Sequence, residues 1–396
     1  MQRMIGRRRF LTGAGAVAAL GALDACRRAP GSGDQNARTA LQLSPLRASV
    51  DRITQITVCT RPFRKEGPRL DVEKVGAKTV VHNYGHGGSG WSLSWGSGAI
   101  ATANAMATGE RDVAVIGCGA LGLTTALQLQ RAGARVTIYA RELPPDVRSS
   151  LATGLYTPDS RICLKEHATP AFKQSWEHMA RQSFQTYQSF LGLPGTPVEF
   201  IDSYFVSDDP NRPRRSEAEG KPEFADLEQE LIGDLMPKTV DFEPGSHPLG
   251  QRFLRRNTQL MFNLPAYTRT LMADFSANGG KIEVREFHAP SEFARLKEKT
   301  LINATGYGAR ALFGDQSLIP VRGQLTHMIP QPEVTYGLFY KSVSVVPRRD
   351  GLVFQVVGDN DYYGYDDETA SPDRAEAERA VNTVASLFAA TEKAST

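Results

Sequence analysis

The stretch Val113-Ala114-Val115-Ile116-Gly117-Cys118-Gly119-Ala120-Leu121-Gly122 leaves few folds open to this chain. Its four leading apolar residues read as a buried strand. A turn follows at Gly117, then an apolar helix over residues 121–132 with Gly133 as its C-cap, then a second strand over 135–139. This is a βαβ unit, and such units build parallel sheets with helices on the faces. Gly117-x-Gly119-x-x-Gly122 has the spacing of a dinucleotide fingerprint. Gly117 permits the tight turn, Gly119 allows the backbone to approach a pyrophosphate, and Gly122 lets the helix pack on the sheet. Ala120 and Leu121 open that helix, whose N-terminal amides and dipole favour phosphate. The second strand ends Tyr139-Ala140-Arg141-Glu142. An acidic residue is expected there for the ribose hydroxyls; Glu142 stands one place late, and Arg141 taken alone points to a 2′-phosphate and NADP.

The 396 residues, 41% hydrophobic, suffice for two domains with a buried core. Lys+Arg 46 against Asp+Glu 43 leaves a charge of +3. Arg3, Arg7, Arg8 and Arg9 against Asp24, all ahead of Cys26, account for that excess. The body is neutral, so a nucleic-acid partner has no electrostatic support. Residues 1–26 read as an export signal. Arg7-Arg8-Arg9-Phe10-Leu11 is a twin-arginine pattern, the apolar run over 13–23 is too short to span a bilayer, and Leu23-Asp24-Ala25-Cys26 resembles a lipobox with Cys26 as the lipid-bearing residue. The expected location is periplasmic or anchored at an extracytoplasmic membrane face. Residues 27–46 read as a linker, rich in Pro, Gly and Ser up to Asn36. Cys59, Cys118 and Cys163 lack metal spacing and read as small buried side chains.

Further along, the pattern predicts strands over 53–59, 79–82, 198–206, 282–287 and 300–306, and a hairpin of 343–347 with 352–357. Helices are predicted over 99–106, 170–192, 265–276 and 372–390, and an exposed loop over 208–223.

A second glycine-rich stretch, His82-Asn83-Tyr84-Gly85-His86-Gly87-Gly88-Ser89-Gly90-Trp91, precedes the fingerprint by about one helix. It resembles the flavin-ring loop of the D-amino-acid oxidase family. Arg61-Pro62-Phe63-Arg64 resembles that family's substrate-arginine segment, and Arg141-Glu142-Leu143-Pro144-Pro145-Asp146 its turn after the second strand. The run Ser149-Ser150-Leu151-Ala152-Thr153-Gly154-Leu155-Tyr156-Thr157-Pro158 is similar to its flavin-contacting loop. Leu301-Ile302-Asn303-Ala304-Thr305-Gly306 resembles its returning strand, and Pro320-Val321-Arg322-Gly323-Gln324 its crossover to the substrate domain. These pieces stand in a cyclically shifted order: moving residues 41–107 to the end restores the family's. The resemblance therefore implies a circularly permuted α/β protein. It would have a Rossmann-like FAD-binding domain (73–165, returning at 281–317) and a mixed-sheet, α+β substrate domain (47–72, 166–280, 318–396).

The implied cofactor is FAD. Its expected ligands are Gly117, Gly119, Ala120, Leu121, Gly122, Arg141, Glu142, Arg148, Ser149, Thr153, Gly154, Leu155, Phe287, Thr305 and Gly306, with Gly87, Gly88, Ser89, Gly90, Trp91 and Ser92 along the flavin ring. Arg61 would hold a substrate carboxylate through its bidentate guanidinium, with Arg64 and Arg69 as competitors. Of the family's two site tyrosines, Tyr340 takes the place of the first and Ser344 that of the second; Tyr362, Tyr363 and Tyr365 are candidates to compensate. His82 and His86 at i, i+4 are separated by a loop-forming sequence and read as no metal pair. The implied reaction oxidises a D-amino acid or related amine to the imino acid, with oxygen reduced to hydrogen peroxide. Three rivals stand beside it: an amine dehydrogenase with another electron acceptor, a non-catalytic binding protein, and an NADP enzyme.

Overall fold

The computed structural model describes residues 41–209 and 218–394, which belong to one compact unit. The twin-arginine run and Cys26 lie outside the described residues, as does part of the predicted loop over 208–223. In chain order the elements are β1 (Ile53–Phe63), β2 (Val72–Val75), β3 (Lys78–His82), α1 (Gly90–Met106), β4 (Asp112–Ile116), α2 (Ala120–Arg131), β5 (Arg135–Ala140), α3 (Pro170–Gln188), β6 (Val198–Ser207), α4 (Glu228–Leu231), β7 (Val240–Phe242), β8 (Phe253–Phe262), α5 (Leu264–Ala277), β9 (Lys281–Val284), β10 (Thr300–Asn303), α6 (Ala309–Leu312), β11 (Ile319–Met328), β12 (Gly337–Tyr340), β13 (Val343–Arg348), β14 (Gly351–Val356) and α7 (Arg374–Ala394).

One sheet has the order β2-β3-β10-β4-β5-β9 and is parallel except at β2–β3. Parallel strands are covered on both faces and so read as continuous apolar runs. Here Val81, Val113, Val115, Ile138 and Ile302 face α1, α2 and α5, while Val80, Ala114, Ile116 and Leu301 pack with Phe293, Leu296 and Leu312 on the other side. α1 begins at Gly90, nine residues ahead of the expected start. It is buried on nearly every side and wedged against α3: a Cβ added at Gly96 would lie 2.2 Å from the Met179 carbonyl oxygen. That close approach is what its small residues serve, at a cost in helix propensity.

The other sheet has the order β1-β11-β14-β13-β12-β6-β8-β7, antiparallel except for β12 beside β6. Side chains alternate across its two faces. Tyr204, Val206, Leu338, Tyr340, Val343, Val345, Leu352 and Phe354 pack against Ala380, Val381, Val384 and Leu387 of α7. The opposite face carries Phe205, Phe339, Ser344 and Gln355, one cross-strand row in register. It lines a cavity between the two sheets. β1 extends to Phe63, four residues past its expected end, so Arg61 sits within an edge strand of this sheet rather than after it.

The segment ahead of β4 thus supplies strands to both sheets: β1 to the large one, and β2 and β3 to the other, where β3 and β4 flank β10. Thr108 and Gly109 make the turn that joins α1 to β4. Leu41, Leu43, Val50 and Ile53 pack against the cluster that holds α7, so the first described residues lie beside the last helix.

Candidate active site

Between the two sheets runs a cavity of about 1040 Å³, at the top of the usual ligand-pocket range of roughly 300–1,000 Å³. At one end lie Tyr139, Arg141, Glu142, Arg285 and Phe287; at the other lie Arg61, Phe205, Gln259, Phe339, Ser344 and Gln355.

The fingerprint is built as its spacing requires. Gly117 has φ +110°, and a Cβ there would lie 2.5 Å from the Ala304 carbonyl oxygen, so a side chain is excluded by both torsion and space. Gly122 does not line the cavity; its Cα packs over the Gly117 carbonyl, where a Cβ would come to 2.1 Å. Gly119, Ala120 and Leu121 line the cavity at the N-terminus of α2. The Ala120 amide donates to Ser149 Oγ at 2.9 Å, while those of Leu121 and Gly122 have no acceptor among the described residues. Arg148, Thr153, Gly154, Leu155, Thr305 and Gly306 also line the cavity. Arg141 is engaged by Glu142 and Glu286 rather than free for a 2′-phosphate.

In the first glycine loop Gly87 and Gly88 line the cavity as expected, but their amides are used within the protein. Gly87, with φ +55°, passes against the Arg161 carbonyl. Its amide donates to Pro62 O at 2.9 Å, that of Gly88 to Ser160 O at 2.8 Å, and that of Ser89 to His86 O at 2.9 Å. These three amides are therefore satisfied within the protein. The amides of Gly90, Trp91 and Ser92, the first three of α1, have no acceptor among the described residues, and Gly90 and Trp91 line the cavity. An α-helix leaves these groups unpaired. Ser89 and Ser92 do not line it: Ser89 Oγ donates to Ser160 O, and Ser92 Oγ accepts from the Thr157 amide, so both brace the neighbouring loop. Ser149 joins the two helix starts, accepting at its carbonyl from Trp91 Nε1 at 2.7 Å and at Oγ from Ala120. Two helix N-termini, each with unpaired amides, thus open on one cavity, a setting suited to an anionic ligand with separated charges.

At the far end, Arg61 Nη1 donates to the Arg322 carbonyl at 3.0 Å. Its guanidinium lies over Gly323, where an added Cβ would be 2.5 Å from Nη2. Arg61 pairs with no carboxylate among the described residues. Its two competitors are spoken for: Arg69 by Asp71 and Glu73, and Arg64 by Ser317 and Asp315.

The tyrosine assignment shifts by one residue. Phe339 pairs with Ser344 across β12 and β13 and shares its face, so Tyr340 points the other way. Tyr340 is buried against α7, bonds Asp208 through its hydroxyl, and does not reach the cavity. Phe339 stacks on Phe205 at 5.5 Å instead. Tyr362, Tyr363 and Tyr365 do not line this cavity either; Tyr362 donates to Pro222 O and Tyr365 packs on Phe63, fixing the loop whose residues 357–361 do line it. Sequence reasoning passed over Phe205, Gln259, Phe339 and Gln355.

His82 is held by Glu73 and Asn303 at 2.9 and 3.0 Å. His86 is wholly buried with neither ring nitrogen bonded, and burial pushes it down to about 3, so it is neutral near pH 7. Cys59, Cys118 and Cys163 are free and buried.

Residues 112–395 match the family model described as FAD dependent oxidoreductase. The chain belongs to this family. Among its relatives, it is similar to a D-amino-acid oxidase of Rubrobacter xylanophilus, 27% identical over 247 residues covering 60% of this chain and 67% of that one. It is also similar to a D-amino-acid oxidase of Streptomyces coelicolor (29%, covering 54% and 59%) and a D-aspartate oxidase of Homo sapiens (26%, covering 54% and 58%). Among solved structures it resembles an iminodiacetate oxidase from Chelativorans, with a TM-score of 0.48, 16% identity, and 70% and 79% of the two chains covered. The family's cofactor is FAD, and the residues present fit it: the side-chain-free turn at Gly117, and two helix starts, with amides unpaired among the described residues, that line one cavity. The segment that carries Arg61 and the first glycine loop lies ahead of the matched residues.

Proposed function

We propose that the protein oxidises the Cα–N bond of a D-amino acid to the imino acid, with oxygen reduced to hydrogen peroxide. The observation that carries this reading is the Arg61 guanidinium, which has no carboxylate partner among the described residues and faces the cavity onto which both helix N-termini open. A guanidinium fork matches the two oxygens of a carboxylate.

FAD, when bound, supplies a two-electron acceptor for the hydride on Cα. Gly119, Ala120 and Leu121 at the start of α2 would hold its phosphates, and the Gly90 and Trp91 amides at the start of α1 would supply hydrogen-bond donors to its ring. Arg61 orients the substrate through its carboxylate, and the amine loses its proton to water before hydride leaves. Orientation is then the chief contribution of the side chains. The amino acid loses two electrons and two protons, oxygen gains them as peroxide, and the imine hydrolyses to the oxo acid and ammonia without a protein group. Glu142 is assigned to the ribose, with Arg141 held beside it.

The order of the segments supports a circular permutation in which residues 41–107 correspond to the family's C-terminal part. The adjacency of residues 41–53 to the α7 cluster is the geometry such a rearrangement needs. The twin-arginine pattern and Cys26 support export of the folded, flavin-loaded protein and lipid attachment outside the cytoplasm.

The test is a panel of D- and L-amino acids given to the purified yellow protein, read by peroxide release and oxygen uptake. Peroxide formed in step with one D-amino acid supports the reading. Flavin reduction without oxygen uptake would assign the electrons to another acceptor, and no reduction by any amino acid would remove the reading.

A further inference from the structure

We infer that Gln355 is a substrate-binding residue that donates to the carboxylate beside Arg61, in the place of a hydroxyl that Ser344 is too short to supply. This rests on the amino-acid reading above. Phe205, Phe339, Ser344 and Gln355 form one row across four strands, on the face that lines the cavity. The row divides into an aromatic half, where Phe205 and Phe339 stack, and a polar half. Ser344 ends at its Oγ, which leaves the space above it to its neighbour across β13 and β14. Gln355 is only 6% exposed, and its Oε1 accepts from Thr153 Oγ1 at 2.6 Å. That bond orients the amide and leaves Nε2, which donates to no group among the described residues, for the cavity.

Arg61 is within reach of the same ligand. Thr326 pairs with Phe354, so carrying the pairing one residue further sets Gln355 opposite Leu325. Gly323, which carries the Arg61 guanidinium, is then one strand across and two residues along, about 8 Å between Cα atoms. A carboxylate held at one edge by the guanidinium can accept from the Gln355 amide at its other oxygen. The extra donor contributes binding that the ground state and the transition state share, so its loss shows in Kd and KM rather than in kcat. The Thr153 bond also ties this substrate residue to the loop that borders the cofactor.

The experiment uses the full-length holoprotein and two readouts: the Kd of propanoate, followed by its perturbation of the flavin spectrum, and KM against kcat for the best D-amino acid. Losing one hydrogen bond to a charged group weakens binding about 10- to 100-fold. Gln355→Leu is expected to raise the propanoate Kd and the KM by that factor while leaving flavin content unchanged and kcat within about threefold. Gln355→Glu keeps the Thr153 contact, sets a negative charge against the ligand and is expected to weaken both further. A tyrosine at 344 reaches the same space, so Ser344→Tyr in a Gln355→Ala background is expected to recover most of the affinity. Wild-type Kd and KM in Gln355→Leu, with both weakened in Arg61→Ala, would overturn this inference alone. Wild-type values in both variants would overturn the amino-acid reading with it.

Discussion

Gly323→Ala moves the proposed substrate anchor without touching it. A Cβ at this position would lie 2.5 Å from Arg61 Nη2, 2.7 Å from Nη1 and 2.8 Å from Cζ, against 3.4 Å for ordinary contact. The guanidinium must therefore shift by about 0.9 Å, and as the free end of a flexible side chain it can do so. Gly323 has an ordinary strand backbone and is not among the glycines of positive φ, so alanine adds no torsional strain and stability should change by less than about 1 kcal/mol. A misplacement of about 1 Å in a positioning group costs on the order of 100-fold in rate. We therefore expect kcat/KM for a carboxylate-bearing amino acid to fall about 30- to 100-fold, with unchanged flavin content and denaturation midpoint. The assay is steady-state peroxide release on yellow protein matched for flavin. In an Arg61→Ala background the same substitution should add almost nothing, because its effect passes through Arg61. A Gly323→Ala enzyme with kcat/KM within twofold of wild type would refute the placement of Arg61 in the site. An equal further loss in the Arg61→Ala background would refute the route by which it acts.

Other expectations follow from the same geometry. Phe339→Ala should raise KM for bulky amino acids several-fold, whereas Tyr340→Phe, which loses its hydroxyl contacts with Asp208 and Lys341 outside the cavity, should leave kinetics unchanged; the reverse pattern in steady-state data would restore the tyrosine assignment. His86 titrates near 3 folded against 6.5 unfolded, so the unfolded chain binds the extra proton and stability falls as pH drops below 6.5. From this residue alone, stability should be about 2 kcal/mol lower at pH 5 than at pH 7, and the difference between wild type and His86→Leu in denaturant unfolding at the two pH values measures it. A chain in which residues 41–107 are moved behind the last helix by a short linker should still bind FAD; failure to fold would count against the permutation.

The parallel sheet around the fingerprint was legible because its signals are local. Strand, glycine turn and helix follow one another over residues 113–132, and torsion and space at Gly117 leave no room for a side chain. Arg61 was legible as a candidate but could not be separated from Arg64 and Arg69, whose acidic partners come from Asp315 on another segment and from Asp71 just ahead of β2 and Glu73 within it. The substrate wall was not legible, because its residues meet through cross-strand register. A one-residue slip in β12 exchanges Tyr340 for Phe339, and nothing in the local pattern distinguishes them since both are large and aromatic. β11 was missed because Arg322 and Gln324, on the face where an apolar residue would signal a strand, are buried instead against Glu376 and Asp373 at the start of α7. In the first glycine loop the residues were found but their use was not: acceptors from Pro62 and Ser160 claim the amides of Gly87 and Gly88, and the unpaired donors begin only where α1 starts.

The most direct measurement is an anaerobic titration of the flavin-loaded protein with a D-amino acid and with the matching amine that lacks the carboxylate. If Arg61 anchors an amino acid over the cofactor, the D-amino acid bleaches the flavin at stoichiometric amounts and the amine needs at least about 100-fold more. Equal bleaching by both, or a flavin that stays yellow with every amino acid, would contradict the account.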